Sequence, residues 1–256
     1  MNMYIESHGM GPNLVLLHGW GLSGNVWEGI VNELQQFSRV SIIDLPGYGR
    51  SQSLNYKEYT LSNLATEIKQ HIEANSIILG WSLGGMIAVQ MVLDYPDYVD
   101  KLILVANSPQ YFKDDDWQHA ISREILEGFA NELLDDYKAT ILHFLAIQAL
   151  GSEHAQDEIR LLRNRVFRDG LPDPKALKAG LDILLSTNLR QQLKKITCPT
   201  LIINGQHDRL VPLLSGEAVA GLIQNSRFSL VQGASHAPFI SHPNLFVNLL
   251  KAFTHE

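Results

Sequence analysis

Short runs of apolar, β-branched residues alternate with helix-length amphipathic segments along most of this chain, and this alternation constrains the fold more than any other feature. The apolar runs lie at 14–18, 39–45, 76–81, 101–106, 200–205 and 227–233. Helical periodicity falls between them, near 25–36, 60–74, 83–94, 214–223 and 243–254. Because parallel strands are buried on both faces and need helical connections, the pattern predicts an α/β fold with a mostly parallel sheet flanked by helices.

Residues 109–186 interrupt the alternation. They show helical periodicity throughout and contain no strand of the kind found elsewhere in the chain. We therefore expect a helical cap at 109–186, inserted into a core formed by 1–108 and 187–256. Within the cap, the run Asp114–Asp116 is typical of the solvated start of a helix.

The composition excludes several classes of function. The formal net charge is −7, and the chain lacks the concentration of Lys and Arg that a nucleic-acid surface needs. The first residues have no signal-peptide pattern, and no apolar stretch approaches the roughly 18 residues of a membrane span, so we expect a cytoplasmic protein. The single cysteine, Cys198, is predicted to be a small buried residue rather than a catalytic thiol.

A candidate nucleophile lies between the third apolar run and the helical segment that follows it. The motif Gly80-x-Ser82-x-Gly84 fits a nucleophile elbow, a strained turn between strand and helix that exposes a serine hydroxyl. A serine hydroxyl is a poor nucleophile until a base takes its proton. The motif therefore predicts a histidine and a carboxylate at other strand ends.

Two loops supply these partners in the expected chain order. Asp208 follows the run at 200–205, and His236 follows the run at 227–233. The carboxyl ends of parallel strands meet at one edge of the sheet, so Ser82, Asp208 and His236 are predicted to form a catalytic triad there. Among the other histidines, His242 is predicted to open the last helix, and His207 precedes the final strand.

An oxyanion hole needs two backbone N–H groups directed at the developing charge. One is predicted at Leu83, which follows the nucleophile at the start of a helix whose dipole favours negative charge. The other is predicted at Trp20, in the loop after the run at 14–18. His18 in the same loop is predicted to brace the loop rather than to act as an acid or base.

The same loop supports an alternative function. Gly19, Gly21 and Gly24 match the G-x-G-x-x-G fingerprint of dinucleotide-binding proteins, and Asp44 lies at the expected distance beyond them. The hydrolase interpretation accounts for Trp20 and the triad together, so we favour it. A ligand-binding module that keeps the hydrolase fold without turnover is a third alternative. Zinc and P-loop motifs are absent from the sequence, and the hydrolase mechanism needs no metal or organic cofactor.

Six segments carry a resemblance to a known family. They are LVLLHGWGLSGNVW, DLPGYGRS, LGWSLGGMIA, FLAIQALGSE, LDILLSTNLR and ASHAPFISHP. Through them nearly the whole chain resembles the α/β-hydrolase superfamily, and more closely the pimeloyl-acyl-carrier-protein methyl ester esterases of biotin synthesis.

The resemblance implies a carboxylesterase that removes the methyl group from a pimeloyl chain on acyl carrier protein, with Ser82, Asp208 and His236 as its triad. It also implies substrate contacts, which come from Trp20, Leu83, Phe144, Leu145, Ala146, Ile147 and Gln148. From the residues alone, packing of the cap explains Phe144, Leu145 and Ile147 equally well. Hydrolysis of other small esters or of carbon–carbon bonds uses the same triad and stays open as an alternative.

The implied partner is acyl carrier protein, an acidic protein that would dock on a basic surface. Candidate basic residues on the cap are Lys138, Arg160, Arg163, Arg165 and Arg168. The cap as a whole holds nine Lys and Arg against fourteen Asp and Glu, a net charge of 9 − 14 = −5. We expect a monomer that binds neither nucleic acid nor membrane.

Overall fold

The computed structural model describes residues 3–52 and 58–255. It contains a seven-stranded sheet in the order β1-β3-β2-β4-β5-β6-β7. The strands are β1 Ile5–His8, β2 Asn13–Leu17, β3 Arg39–Ile43, β4 Ser76–Trp81, β5 Val99–Val105, β6 Thr200–Gly205 and β7 Ser226–Val231. Only β1 pairs antiparallel, with β3, and every other pairing in the described sheet is parallel.

α-Helices flank this sheet and form most of the segment between β5 and β6. They are α1 Glu28–Leu34, α2 Leu61–Lys69, α3 Leu83–Asp94, α4 Arg123–Asp135, α5 Tyr137–Ala149, α6 Ala155–Val166, α7 Pro174–Ser186, α8 Arg190–Leu193, α9 Leu213–Leu222, α10 Pro238–Ser241 and α11 Pro243–Thr254. Among the described residues, none of the helices combines the length and apolar content needed to cross a lipid bilayer.

The predicted parallel α/β core is confirmed. Each predicted strand is present with its ends within two residues of the predicted ones, because β2, β4 and β6 are buried along their whole length and their sequences are continuously apolar. The sequence did not predict β1. Ile5–His8 is a short edge strand that is only partly buried, so it lacks the apolar run that identifies the central strands.

The prediction that 109–186 is helical throughout is wrong for its first part. Residues 109–122 form no helix: Phe112 bridges Ile121 and Asp114 bridges Trp117. The first helix begins only at Arg123. The aspartate run therefore does not start a helix.

Arg190 explains the position of the aspartate run. Its guanidinium lies 2.8 Å from the Asp116 carboxylate and 3.5 Å from that of Asp114. The run thus binds the start of α8, on the core side of the inserted segment.

We propose that the cap extends over 109–186, as the sequence predicts. Its last helix, α7, ends at Ser186. The N–H of Leu189 donates to the carbonyl of Pro109 across 2.9 Å, so the two ends of the insertion meet. This closure is what an insertion between two adjacent strands, β5 and β6, requires.

Candidate active site

Ser82 lies in a strained turn between β4 and α3. Its φ of 55° and ψ of −117° place a non-glycine residue in the left-handed half of the Ramachandran plot. A Cβ on Gly80 would lie 2.3 Å from the Gly84 carbonyl oxygen, and one on Gly84 would lie 2.4 Å from that of Leu17. The elbow therefore requires both glycines, because strand and helix approach so closely.

Hydrogen bonds from the next strand hold this turn. The N–H of Ser82 donates to the Val105 carbonyl across 3.0 Å, and the Asn107 side-chain amide donates to the Ser82 carbonyl across 2.9 Å. The Asn107 side chain also fills the space beside Gly85, where a Cβ would lie 2.5 Å from its amide nitrogen. These contacts offset the strain at Ser82 and fix the direction of its side chain.

Asp208 and His236 form a buried hydrogen-bonded pair. His236 Nδ1 lies 2.8 Å from Asp208 Oδ2, and both side chains are inaccessible to solvent. The other carboxylate oxygen, Oδ1, accepts from the N–H groups of Leu210 and Val211 at 2.8 and 2.9 Å. Because the carboxylate can only accept, the proton of the neutral imidazole lies on Nδ1, and Nε2 is left as an acceptor.

The structure brings Ser82 and His236 to the same edge of the sheet. Trp81, which precedes Ser82, donates from its indole to the His236 carbonyl across 2.8 Å, and the two rings lie 5.6 Å apart. Ser82 Oγ accepts a 3.5 Å hydrogen bond from the Tyr111 hydroxyl. Within the described residues no hydrogen bond joins Ser82 to His236, and buried His236 Nε2 has no partner. The site thus presents an unused buried acceptor.

The turn between α5 and α6 contacts both loops of the Asp–His pair. The His236 N–H donates to the Gln148 carbonyl across 3.1 Å, and Ser235 Oγ donates to the Leu150 carbonyl at the same distance. A Cβ on Gly151 would lie 3.1 Å from the Cβ of His207, which precedes Asp208. The cap therefore supports the loops that carry the carboxylate and the imidazole.

The N–H groups of Trp20 and Leu83 both belong to buried residues. In the described part of the chain, neither group donates to a protein acceptor. Leu83 is the first residue of α3, so its N–H lies at the positive end of the helix dipole. Two free donors beside the elbow are what an oxyanion hole needs.

The Trp20 indole connects this loop to the cap. Its Nε1 donates to the Leu177 carbonyl in α7 across 2.7 Å, and its ring meets the edge of the Phe144 ring at 4.9 Å. A Cβ on Gly180 would lie 2.9 Å from the indole, so α7 also packs directly over it. α5 and α7 thus lie immediately above the elbow.

The five cap residues that the family resemblance assigns to substrate contacts do not share one environment. Phe144, Leu145 and Gln148 are buried, Ile147 is half-buried, and Ala146 is exposed on the opposite side of α5. Both amide atoms of Gln148 are buried, and neither has a partner among the described residues. Gln148 is therefore the member of the set whose hydrogen-bonding capacity is unused, which burial makes costly.

His18 braces its loop, as the sequence predicted. Its Nε2 accepts from the Leu45 N–H at 2.9 Å, so its Nδ1 carries the proton and donates to the Gly19 carbonyl at 2.8 Å. Complete burial lowers the pKa of His18 to about 4, although the nearby Asp44 carboxylate opposes this effect. The ring is neutral at physiological pH.

The glycine loop does not offer a dinucleotide site, because Asp44 is already engaged. Its Oδ1 accepts from the Gly24 N–H at 2.7 Å, and its Oδ2 accepts from Arg50 Nε at 2.7 Å. Burial would raise the pKa of Asp44, but the hydrogen bonds from Arg50 and from the Gly24 N–H, together with the nearby His18, outweigh burial and lower the pKa. The carboxylate is therefore a structural partner of Arg50 and of the loop, and has no oxygen free for a ribose.

Cys198 is less buried than the sequence predicted. Cys198 is only half-buried, and burial raises the pKa of its thiol, which disfavours a thiolate.

Tyr111, whose hydroxyl lies beside the Ser82 oxygen, was not predicted as a site residue. It belongs to no motif, and only the irregular path of the chain after β5 brings it to the elbow.

Comparison with known proteins agrees with this architecture. Residues 12–243 match the family described as having the alpha/beta hydrolase fold. An esterase from Exiguobacterium antarcticum has a solved structure that superposes with a TM-score of 0.90 at 26% identity, covering 99% of this chain and 96% of that one. Fold and elbow thus define the class: an α/β hydrolase.

Two curated relatives narrow the class further. A pimeloyl-acyl-carrier-protein methyl ester esterase of Aeromonas hydrophila is 44% identical over 99% of both chains. The protein of the same name from Pectobacterium carotovorum is 42% identical over 98% of both chains. The chain therefore belongs to the α/β-hydrolase family and, within it, to the group of pimeloyl-acyl-carrier-protein methyl ester esterases.

Proposed function

We propose that this chain is a serine carboxylesterase that hydrolyses the methyl ester of pimeloyl-acyl carrier protein, a step of biotin synthesis. The products are pimeloyl-acyl carrier protein and methanol. Ser82 is the nucleophile, His236 the general base and Asp208 the group that orients the imidazole. The names of the curated relatives support this substrate, and the geometry of the site supports the reaction type.

One observation carries the reaction type: a buried Asp208–His236 pair leaves its outer nitrogen without a partner at the edge of the sheet where Ser82 is held in an elbow. A buried acceptor without a partner is costly. The free nitrogen of His236 is explained if it accepts the proton of Ser82 and then gives that proton to the leaving group.

The proposed reaction has two halves. His236 Nε2 takes the proton of Ser82 as Oγ bonds to the ester carbonyl carbon, and the N–H groups of Trp20 and Leu83 hold the oxyanion. Collapse breaks the bond to the methoxy oxygen, which receives the proton from His236 and leaves as methanol. Water then gives a proton to His236, attacks the acyl carbon and releases the carboxylic acid, while the proton returns to Ser82.

The cap provides an environment for a methylene chain. Phe144 lies against the Trp20 ring and the Phe129 ring, at 4.9 and 5.3 Å. We propose that the buried face of α5, with Phe144, Leu145 and Gln148, lines the acyl site, and that the unused amide of Gln148 binds a polar group of the substrate. The exposed Ala146 is left out of this proposal.

Docking of the acidic carrier is proposed at the basic residues of the cap that are free of acidic partners. Arg165 and Arg168 bind Glu28, and Arg160 binds Asp157. In the parts of the chain that the structure describes, Lys138 and Arg163 are exposed and form no ion pair. These two side chains are the strongest candidates to meet the carrier.

Turnover of carrier-bound methyl pimelate, compared with that of p-nitrophenyl butyrate, tests the function. We expect a kcat/KM at least tenfold higher for the carrier-bound ester, and loss of both activities in Ser82→Ala. Ser62→Ala, which removes an exposed hydroxyl, is the matched control and should keep both. Fast turnover of the free ester without turnover of the carrier-bound ester would contradict the proposed substrate. The chain would then be an esterase of different specificity.

A charge-reversal pair tests the docking surface. Arg163→Glu should raise KM for the carrier-bound ester severalfold and leave turnover of p-nitrophenyl butyrate unchanged, because only the first substrate brings the acidic carrier. Lys251→Glu reverses an exposed charge on α11 and should change neither the KM for the carrier-bound ester nor the turnover of the free ester.

The expectation of a monomer stays a prediction, which light scattering on the purified chain tests.

A further inference from the structure

Three side chains of types that can ligate a metal meet at the outer side of the α5–α6 turn. Glu153 and His154 belong to this turn, and His242 precedes α11. One ligand atom from each lies within 4.8 Å of the other two. The rings of His154 and His242 are 5.6 Å apart, in an edge-to-face arrangement. Two imidazoles and a carboxylate thus converge from segments that are far apart in sequence.

Neighbouring groups hold each of these three residues in place. The N–H of Glu153 donates to the Gly233 carbonyl across 3.1 Å, and that of His154 donates to Ser152 Oγ at the same distance. His242 Nδ1 lies 2.9 Å from Ser241 Oγ, which leaves its Nε2 for a ligand bond. A hydroxyl on the far nitrogen is the kind of outer contact that fixes the ring of a metal-binding histidine.

We propose that Glu153, His154 and His242 form a binding site for a divalent transition-metal ion of the zinc class, with the fourth position open to water. Two imidazoles and one carboxylate are a donor set that zinc accepts readily. Tetrahedral bonds of about 2.1 Å set the ligand atoms roughly 3.4 Å apart. The ligand atoms lie within 4.8 Å of one another and Glu153 and His154 are exposed, so we expect rotation of these two side chains to close the remaining distance.

A metal at this site would join the cap to the loop of the proposed base. The Glu153 carboxyl group packs against Gly233, where a Cβ would lie 2.7 Å from Glu153 Cδ. Gly233 lies three residues before His236, and His242 lies six residues after His236. The ion would therefore fix the α5–α6 turn, the His236 loop and the start of α11 relative to one another.

Calorimetric titration of the chelator-treated protein with Zn²⁺ tests the site. We expect binding of one ion per chain, and a loss of affinity of about tenfold or more in His154→Ala and in Glu153→Gln. His71→Ala removes an exposed histidine outside the cluster and should leave the affinity unchanged. His154 is exposed, so its replacement should not disturb folding.

Thermal unfolding provides a second readout. At a hundredfold excess of Zn²⁺ over the dissociation constant, the unfolding midpoint should rise by roughly 5–10 °C in the parent and in His71→Ala, and clearly less in His154→Ala. Hydrogen exchange of residues 148–154 and 233–236 should slow in the zinc-bound parent. Equal affinity in the parent and His154→Ala, or an equal loss in His71→Ala, would overturn the proposal by showing dispersed surface binding.

Discussion

The backbone N–H of His236 donates to the carbonyl of Gln148 across 3.1 Å, so the last turn of α5 holds the main chain of the proposed base. Leu150, two residues further on, accepts from the Ser235 hydroxyl at 3.1 Å. The position of the imidazole therefore depends on the cap as well as on the sheet. Changes in the α5–α6 turn should alter catalysis without touching a reacting group.

Gly151 offers a direct test of this dependence. It has a φ of +90°, and a Cβ there would lie 3.1 Å from the Cβ of His207, next to Asp208. Gly151→Ala should cost about 1 kcal/mol in the free energy of unfolding, because a left-handed φ is unfavourable for alanine. It should also lower kcat by roughly threefold to tenfold, because the turn must move away from the Asp208 loop.

Gly170→Ala is the matched control. Gly170 has a φ of +103°, and a Cβ there would meet nothing within 4 Å. The same loss of stability is expected, about 1 kcal/mol by urea unfolding, with kcat for p-nitrophenyl butyrate unchanged. If Gly151→Ala matched Gly170→Ala in kcat as well as in stability, the turn would have no influence on the catalytic loops.

Asp208→Asn should nearly abolish turnover while the fold persists. The N–H groups of Leu210 and Val211 both donate to Oδ1, so an asparagine would keep its oxygen there and present its NH₂ group to His236. The imidazole would then accept at Nδ1 and carry its proton on Nε2, where it cannot take the proton of Ser82. We expect kcat to fall by about 10³–10⁴-fold. Retention of more than a tenth of the parent kcat would contradict the assigned tautomer.

The core of this fold could be predicted because burial on both faces makes the central strands continuously apolar. Ile5–His8 escaped prediction because an edge strand needs no such run. Residues 109–122 were mistaken for helix because helical periodicity in the rest of the cap was extended over them. In fact Asp114 and Asp116 form ion pairs with Arg190, which lies far along the chain.

The proposed site shows a similar division. Ser82, Asp208 and His236 could be proposed from the sequence because each lies at a strand end, and chain order alone relates them. Tyr111 lies outside any helix or strand, and the cluster at Glu153 and His242 joins segments that no local motif connects. Such contacts depend on the tertiary path of loops, which a pattern of residue types does not encode.

The buried His18 should make stability depend on pH between its two pKa values. Its folded-state pKa of about 4 lies below the ordinary 6.5, so only the unfolded chain binds a proton between these values. The stabilisation is complete above pH 6.5 and declines as the pH falls toward 4, by about 3 kcal/mol in total. In His18→Gln, whose amide oxygen can accept from Leu45, this component should be absent. Urea unfolding at pH 7, 6, 5 and 4 measures it, and parallel pH profiles for parent and variant would refute the assignment.

Asp44→Asn should destabilise the fold because both carboxylate oxygens accept from N–H groups that an amide NH₂ cannot satisfy. With Arg50 partly exposed, we expect a loss of about 2–3 kcal/mol in the free energy of unfolding at pH 7. The folded-state pKa of Asp44 is lowered from its ordinary 3.8, so its stabilisation is present above about pH 4 and is lost as the pH falls through the folded-state value. The difference in the free energy of unfolding between parent and variant should therefore stay constant from pH 7 to 5 and shrink below pH 4.

Asp157→Asn is the control: it breaks the exposed pair with Arg160 and should cost less than about 0.5 kcal/mol. Equal losses in the two variants would show that the Asp44–Arg50 pair contributes no more than a surface ion pair.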